Sequence, residues 1–295
     1  MEDKVAVLTS AGVLICPDEG GHLQYNGDNL GCTVCGRKFP IFAGEVVELL
    51  PLKPTFIQEL SNQKYTQGYL AEFNQPFVLI KDALAWGAPE SVPSGWVQKR
   101  RAHVNWALPL IRDNVKEDMI LCDVSAGAGY YTLEYSRYFK ICLHCDLSVG
   151  GLNYAYFKTR ALDIKNIIFV RADYLNPPFR RSIHRIICFD SLSRGWPHEE
   201  LLLQALMKSL APGGVALVDF HNWWHNPLRQ IGLLPKISDH SYTRRRAQCL
   251  LVKVGIGKYE FHPWHQEFEP HSIADKIFSR IVSPTRLVYR FSTNE

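Results

Sequence analysis

The sequence predicts an α/β fold in which helices cover both faces of a mostly parallel sheet, with a small cysteine-rich module in front. Two observations carry the prediction. From Ala102 onward, short apolar runs alternate with helical stretches: MILCDV, a helix, KICLHCDL, a helix, IIFVRAD, IICFDSL, a helix and GVALVDF. Alternation of this kind builds parallel strands buried on both sides. The second observation is a change of texture along the chain. Residues 1–53 are rich in Cys, Gly and Asp, whereas 54–101 mix aromatics with polar residues around the turn-rich GAPESVPSG. Three regions follow: a module at 1–53, a helical cap or linker at 54–101 and a main domain at 102–295.

Composition sets bounds on the function. A chain of 295 residues with 46% hydrophobic and 12% aromatic content buries a full core, which excludes a disordered or fibrous protein. The formal net charge is only +4, with one short basic run at Arg244, Arg245 and Arg246, so composition does not single out a polyanion as partner. The opening stretch MEDKVAVLTSAGVLICPDEG breaks its apolar run with Ser, Gly, Pro and acid, and no signal peptide is expected from it. No stretch approaches the roughly 20 apolar residues of a membrane span. Eight cysteines without export signals point to reduced thiols in a cytoplasmic setting, where clustered cysteines hold metal more often than disulfides.

In the first region, Cys16-Pro17 and Cys32-Thr33-Val34-Cys35-Gly36 are spaced as two knuckles of a tetrahedral thiolate site, with zinc as the expected metal. His22 or Glu19 supplies the fourth ligand, and His22 is preferred because imidazole is the commoner partner of thiolates. The region ends in the apolar run Val46 to Leu50. The aromatics of the middle region, Tyr65, Tyr69, Phe73, Phe77, Trp86 and Trp96, either fold over a pocket or, as such spacing more often means, belong to the core. Cys142 and Cys145 repeat the C-x-x-C spacing on a buried strand, where cysteines behave as small hydrophobes.

In the main domain the first strand runs into Ser125-Ala126-Gly127-Ala128-Gly129 and then a helix. Glycines in such a turn let backbone approach a ligand, and the helix N-terminus offers free N–H groups to an anion. Asp146, Asp173 and Asp190 close the second, third and fourth strands, where carboxylates line the ligand crevice of a parallel sheet. Asp146 suits the two ribose hydroxyls of a nucleoside and Asp173 an adenine amino group. A nicotinamide cofactor would want G-x-G-x-x-G, and S-x-G-x-G lacks the glycine for close helix packing. Ala211-Pro212-Gly213-Gly214 stops the helix HEELLLQALMKSL, and a strand is expected from Val215. Late strands at KYEFHP and TRLVYRFS complete the sheet, with a helix at about 271–282 between them.

The series D-V-S-A-G-A-G, CDLS, RADYLNPPF, FDSL and LAPGGVALVDF resembles, in order, the motifs of class I S-adenosylmethionine (SAM)-dependent methyltransferases, nearest to the ubiquinone-biosynthesis type, over about residues 102–220. The resemblance implies a Rossmann-like sheet of seven strands and SAM as cofactor. It implies that Asp123, Ser125, Gly127 and Gly129 hold the methionine end, Asp146 and Leu147 the ribose, and Asp173 and Tyr174 the adenine side, with Asp190 completing the site. The family opens its loop with glycine; Ser125 stands there instead and fits only at negative φ. The segment CPDEGGHL…GCTVCGRKFPIFAGEVVELLP resembles the short zinc-binding domain that precedes several methyltransferases, with Glu19 where that family has a second cysteine.

Methyl transfer from a sulfonium is an in-line displacement that needs alignment above all. The groups beyond strands four and five that could face the acceptor are Asp190, Ser191, Trp196, His198, His221, Asn222, Trp223, Trp224 and His225. His221 is the preferred general base, because a neutral imidazole takes a proton near pH 7; Asp190 and His198 complete the catalytic set. The expected acceptor is a small molecule. RNA is the alternative, with Lys99, Arg100, Arg101 and Arg244 to Arg246 on phosphates. A third reading is a protein that keeps the fold but transfers no methyl group, as a cyclase, decarboxylase or scaffold.

Overall fold

The computed structural model describes residues 3–55, 63–192, 198–222, 228, 231–233, 241–265 and 284–293, with the side chains of 63–66 left aside. Trp196, Trp223, Trp224, His225, the side chain of Tyr65 and the helix expected at 271–282 lie outside the described residues. The strands are β1 (Leu23–Tyr25), β2 (Asn29–Cys32), β3 (Lys38–Phe42), β4 (Val46–Glu48), β5 (Ile120–Val124), β6 (Ile141–Asp146), β7 (Ile167–Arg171), β8 (Ile183–Cys188), β9 (Leu210–His221), β10 (Tyr259–Trp264) and β11 (Arg286–Ser292). The helices are α1 (Lys4–Ser10), α2 (Gln63–Asn74), α3 (Ser94–Arg112), α4 (Tyr130–Tyr135), α5 (Val149–Ala161), α6 (Glu199–Ser209) and α7 (Arg244–Lys253). No helix among the described residues is long and apolar enough to cross a membrane.

The strands form one sheet in the order β1-β2-β3-β4-β7-β6-β5-β8-β9-β11-β10. Strands β4, β7, β6, β5, β8 and β9 are parallel, and β11 pairs antiparallel between β9 and β10. The expectation of seven strands is thereby corrected: among the described residues the sheet has 11, because the N-terminal region continues it. The cause lies at β7, whose five residues are all buried. Its outer N–H and C=O groups need partners, and an open parallel edge is a liability in any sheet. Val46–Glu48 meets that need by pairing Val46 with Phe169 and Glu48 with Arg171. The apolar run after the cysteines is therefore the strand that joins module to sheet.

One core face gathers Val5, Leu8, Leu23 and Phe39 with Leu143, Ile168 and Val170; the other packs Val104, Ile111, Tyr135 and Leu152 against Leu121, Cys142 and Phe169. Cys142 and Cys145 are fully buried, as small hydrophobes should be. A second correction concerns the start of β9. Helix α6 ends at Ser209 and the strand begins at Leu210, with Ala211–Gly214 bulged between the pairs Ile183–Leu210 and Arg185–Val215. Gly214 fits because a Cβ there would meet the Ile183 carbonyl oxygen at 2.9 Å.

Candidate active site

The site begins where β5 turns into α4. Asp123, the penultimate residue of β5, is buried, and its carboxylate accepts from the Thr132 amide at 3.1 Å and the Thr132 hydroxyl at 2.5 Å. Burial pushes its carboxyl up to about 7. The turn that follows places Gly127 at φ +54° and Gly129 at φ +78°. Ser125 also sits in the left-handed region, at φ +62°, which corrects the expectation of a negative φ. The turn needs that conformation at its first position, and serine takes it at the energetic cost that glycine would escape.

Asp146 ends β6, and its two oxygens accept from the Gly127 amide at 2.7 Å and the Ser148 amide at 2.8 Å. The carboxylate thus ties the glycine turn to the start of α5, where the Ser148 hydroxyl caps the helix by accepting from Gly151 at 3.3 Å. Close packing explains Gly151, since a Cβ there would lie 3.0 Å from the Gly127 oxygen. Burial raises the Asp146 carboxyl, and Glu72 adds to the shift.

Above this turn opens a cavity of about 660 Å³, within the range of roughly 300–1,000 Å³ usual for small-molecule sites. Among the residues expected to bind cofactor, Asp123, Ser125, Gly127, Asp146 and Asp190 line it, and Ser191 lies beside them. Gly129 starts α4 from outside the lining, and a Cβ there would press at 3.3 Å on Ala155 and His144. Leu147 and Tyr174 are buried in the core and do not line the cavity. Asp173 is fully buried, with its oxygens taken by the amides of Thr55 and Leu175 at 2.9 Å each, and it is also absent from the lining.

Aromatic rings also line the cavity. Trp86, Trp96, Tyr130, Tyr131 and Phe189 line it, and Trp86, Trp96 and Tyr130 meet edge to face in a chain with centroids 6.5 and 5.9 Å apart. The middle-region aromatics thus divide: Tyr69, Trp86 and Trp96 face the cavity, whereas Phe77 is core, packed on Phe42. The buried Tyr130 hydroxyl has no hydrogen-bond partner among the described residues.

At the end of β8, Asp190 sits at φ +63° in an ion cluster. It pairs with Arg100 of α3 and Arg286 of β11 and bonds His221 Nε2 at 2.7 Å. Its own amide donates to Asp219 at 2.7 Å, and Arg286 also pairs with Asp219. Burial opposes the charge on Asp190, but Arg100, Arg286 and His221 outweigh it and hold the carboxyl well below its usual range. The oxygens of Asp190 and Asp219 and a ring nitrogen of His221 lie within 4.8 Å of one another. That is a metal-like spacing, but the Arg286 guanidinium already supplies the cation between both carboxylates. His221 and His198 are not among the cavity-lining residues; His198 precedes α6, near enough to Asp173 to act on its charge. Asn222 is buried and donates to the Pro284 carbonyl at 2.9 Å.

In the N-terminal module the sulfurs of Cys16, Cys32 and Cys35 converge within 4.8 Å of one another. Cys32 Sγ accepts from the Val34 and Cys35 amides at 3.4 and 3.5 Å, which holds the knuckle ready for a cation. Three thiolates of a tetrahedral zinc site therefore fit. The expected fourth ligand does not join them: neither His22 nor Glu19 belongs to the cluster.

Sequence reasoning missed Arg286, Glu72, Tyr130 and Tyr131 and misplaced Arg100, which is buried against Asp190 rather than offered to phosphate. The one available signal was position: Tyr130 and Tyr131 directly follow the glycine turn.

Residues 122–218, from β5 into β9, match the family model described as a methyltransferase domain. No curated protein matches the chain by sequence. Among solved structures, the chain is similar to Haemonchus contortus phosphoethanolamine N-methyltransferase 2 in complex with phosphomonomethylethanolamine and S-adenosylhomocysteine, at 12% identity and TM-score 0.51, over 70% of this chain and 54% of that one. The same enzyme with S-adenosyl-L-methionine gives 13% identity and TM-score 0.51, over 82% of this chain and 60% of that one. A possible exported protein from Bordetella parapertussis matches at 13% identity and TM-score 0.50, over 68% of each chain. The chain thus spans little more than half the length of the Haemonchus enzyme. Residues 122–218 thus match a methyltransferase domain, and the fold around them is the one these solved structures share.

Proposed function

We propose that the chain transfers the methyl group of SAM to a small-molecule acceptor. The observation that carries the reading is one cavity lined both by the glycine turn with Asp146 and by aromatic rings. Asp146 would accept from the ribose hydroxyls, the turn would take the methionine end, and Asp123 would face the methionine ammonium. Bound SAM supplies the activated methyl group. An acceptor would lie against Trp96, Tyr130, Tyr131 and Phe189, and holding it in line for transfer would supply most of the rate. Asp190 holds that wall through Arg100, and His221 is a positioning residue behind Asp190. The motif series resembles the ubiquinone-biosynthesis type, and that resemblance supports a small-molecule acceptor.

Cys16, Cys32 and Cys35 are proposed to hold a structural zinc ion in the module. Of the six basic residues that RNA would need, three are engaged within the protein: Arg100 pairs with Asp190, and Arg244 and Arg246 lie over the rings of Phe261 and Tyr242. The test is incorporation of label from methyl-tritiated SAM into a cell extract separated into RNA, protein and organic-soluble pools. Label in the organic pool is expected. Label confined to RNA overturns the small-molecule acceptor, and no label from a protein that binds SAM overturns methyl transfer.

A further inference from the structure

The nucleoside end of the cavity has more acceptors than the strand-end pattern supplies. Gly68, Tyr69 and Glu72 of α2 line the cavity, although α2 lies outside the matched domain. Glu72 is fixed there twice. Its backbone oxygen accepts from the fully buried Arg171 at 2.6 Å, and its Oε2 accepts from the Val149 amide at 3.3 Å, just past the Ser148 cap. Its other oxygen accepts from no described residue. Tyr69 packs on Tyr174, centroids 5.6 Å apart, and of the two only Tyr69 lines the cavity.

Two facts give Glu72 a task. Asp173 is fully buried and does not line the cavity, so the third strand offers no carboxylate to it. Each oxygen of Asp146 already accepts one amide, which leaves one further acceptor position on each. The charge on Glu72 is close enough to raise the Asp146 carboxyl, so the two carboxylates repel one another. A ligand that donates hydrogen bonds to both carboxylates would relieve that repulsion.

We infer, resting on the SAM reading above, that Glu72 is a second nucleoside-binding carboxylate, accepting a hydrogen bond from the ribose diol beside Asp146. The helix before the methyltransferase domain then belongs to the cofactor site rather than to a passive cap. Glu72→Gln separates this from a purely structural role, because the amide oxygen can still accept from Val149. Affinities for S-adenosylhomocysteine and its 2′-deoxy and 3′-deoxy analogues are measured by calorimetry on the full chain and on Glu72→Gln. A charge-assisted hydrogen bond predicts a loss of about tenfold for S-adenosylhomocysteine. For at least one deoxy analogue the loss should be under about twofold, because the lost hydroxyl is the one Glu72 would have met. Equal weakening of all three ligands, or no weakening of any, overturns the inference and leaves SAM binding intact. Failure of the unaltered chain to bind S-adenosylhomocysteine overturns the cofactor reading itself.

Discussion

Asp190→Asn isolates the electrostatics of the cluster under the acceptor wall, since it keeps the shape and removes the charge. Arg286 retains Asp219, but Arg100 is left with the Tyr131 hydroxyl, 3.2 Å away, and the ring of Trp96. Breaking a buried pair by removing one partner costs about 3–5 kcal/mol. The side chains of Arg100, Asp190 and Arg286 are 10–13% exposed and one arginine keeps a carboxylate, which places the loss near the lower end, about 3 kcal/mol. For a chain this long, each kcal/mol moves the melting midpoint about 2 °C, so a drop of about 6 °C is expected by scanning calorimetry. The pH dependence has a definite sign. The native carboxyl is held far below its unfolded value, so its contribution is complete above about pH 4 and is lost only as pH falls further, towards the native value. The gap between wild type and variant should therefore be flat from about pH 8 to pH 5 and close only in stronger acid. Adding Arg100→Met to Asp190→Asn should recover part of the loss, because an apolar residue replaces the stranded charge. A gap below 1 °C, or one already closed at about pH 6, refutes the cluster as described.

Other outcomes follow from single positions. Ser125→Gly should raise the melting midpoint by about 1 °C, as the left-handed strain of about 1 kcal/mol is partly offset by the greater unfolded-state entropy of glycine; a lower midpoint would mean that the serine side chain holds the turn. Asp123, raised to about 7 by burial, binds a proton in the free protein below that pH and must release it to face an ammonium. Affinity for SAM should thus rise from about pH 5.5 to pH 7 with measurable proton release, and Asp123→Asn should flatten the profile. Asp146→Ala should weaken S-adenosylhomocysteine binding by about 2–3 kcal/mol by calorimetry, and unchanged affinity would remove the ribose assignment. Replacing Cys32 and Cys35 by Ser should lower zinc content from about one ion per chain to none by elemental analysis; full metal content in the variant would exclude the thiolate cluster.

The strands from Ile120 to Phe220 were legible because each is a local apolar run, and so were Gly127 and Asp146, which lie beside those runs. Position alone did not reveal how each carboxylate is used. Asp146 and Asp173 close neighbouring strands in the same way, yet one faces the cavity and the other is closed by the Thr55 amide, 118 positions away in sequence. Arg286 escaped notice because it starts an antiparallel strand whose register against His221 is a long-range property. Ser125 misled because local sterics argue for negative φ, whereas the turn must let the Ala126 and Gly127 amides reach the Cys145 carbonyl and Asp146. The two-knuckle spacing located three sulfurs, but spacing carries no information on where the ring of His22 points.

Arg171 shows why the N-terminal region is more than an appendage. Its side chain is fully buried, and each arm ends in a different part of the chain: Nε on the Leu147 carbonyl at 3.2 Å, Nη1 on the Glu48 carboxylate at 2.5 Å and Nη2 on the Glu72 carbonyl at 2.6 Å. A buried guanidinium is tolerable only when its donors are matched, so the three acceptors must be delivered together. Leu147 follows Asp146, the residue proposed to hold the ribose, Glu48 lies on β4 beside β7, and Glu72 is on the helix that lines the cavity. The pairing of β4 with β7 therefore does two things at once. It closes the open edge of the sheet, and it sets the Glu48 carboxylate where Arg171 can hold α2 and the loop after β6 in one geometry. The shape of the nucleoside end thus depends on residues that precede the matched domain by about 50 positions or more, and perturbing Glu48 should reach the cofactor without touching it.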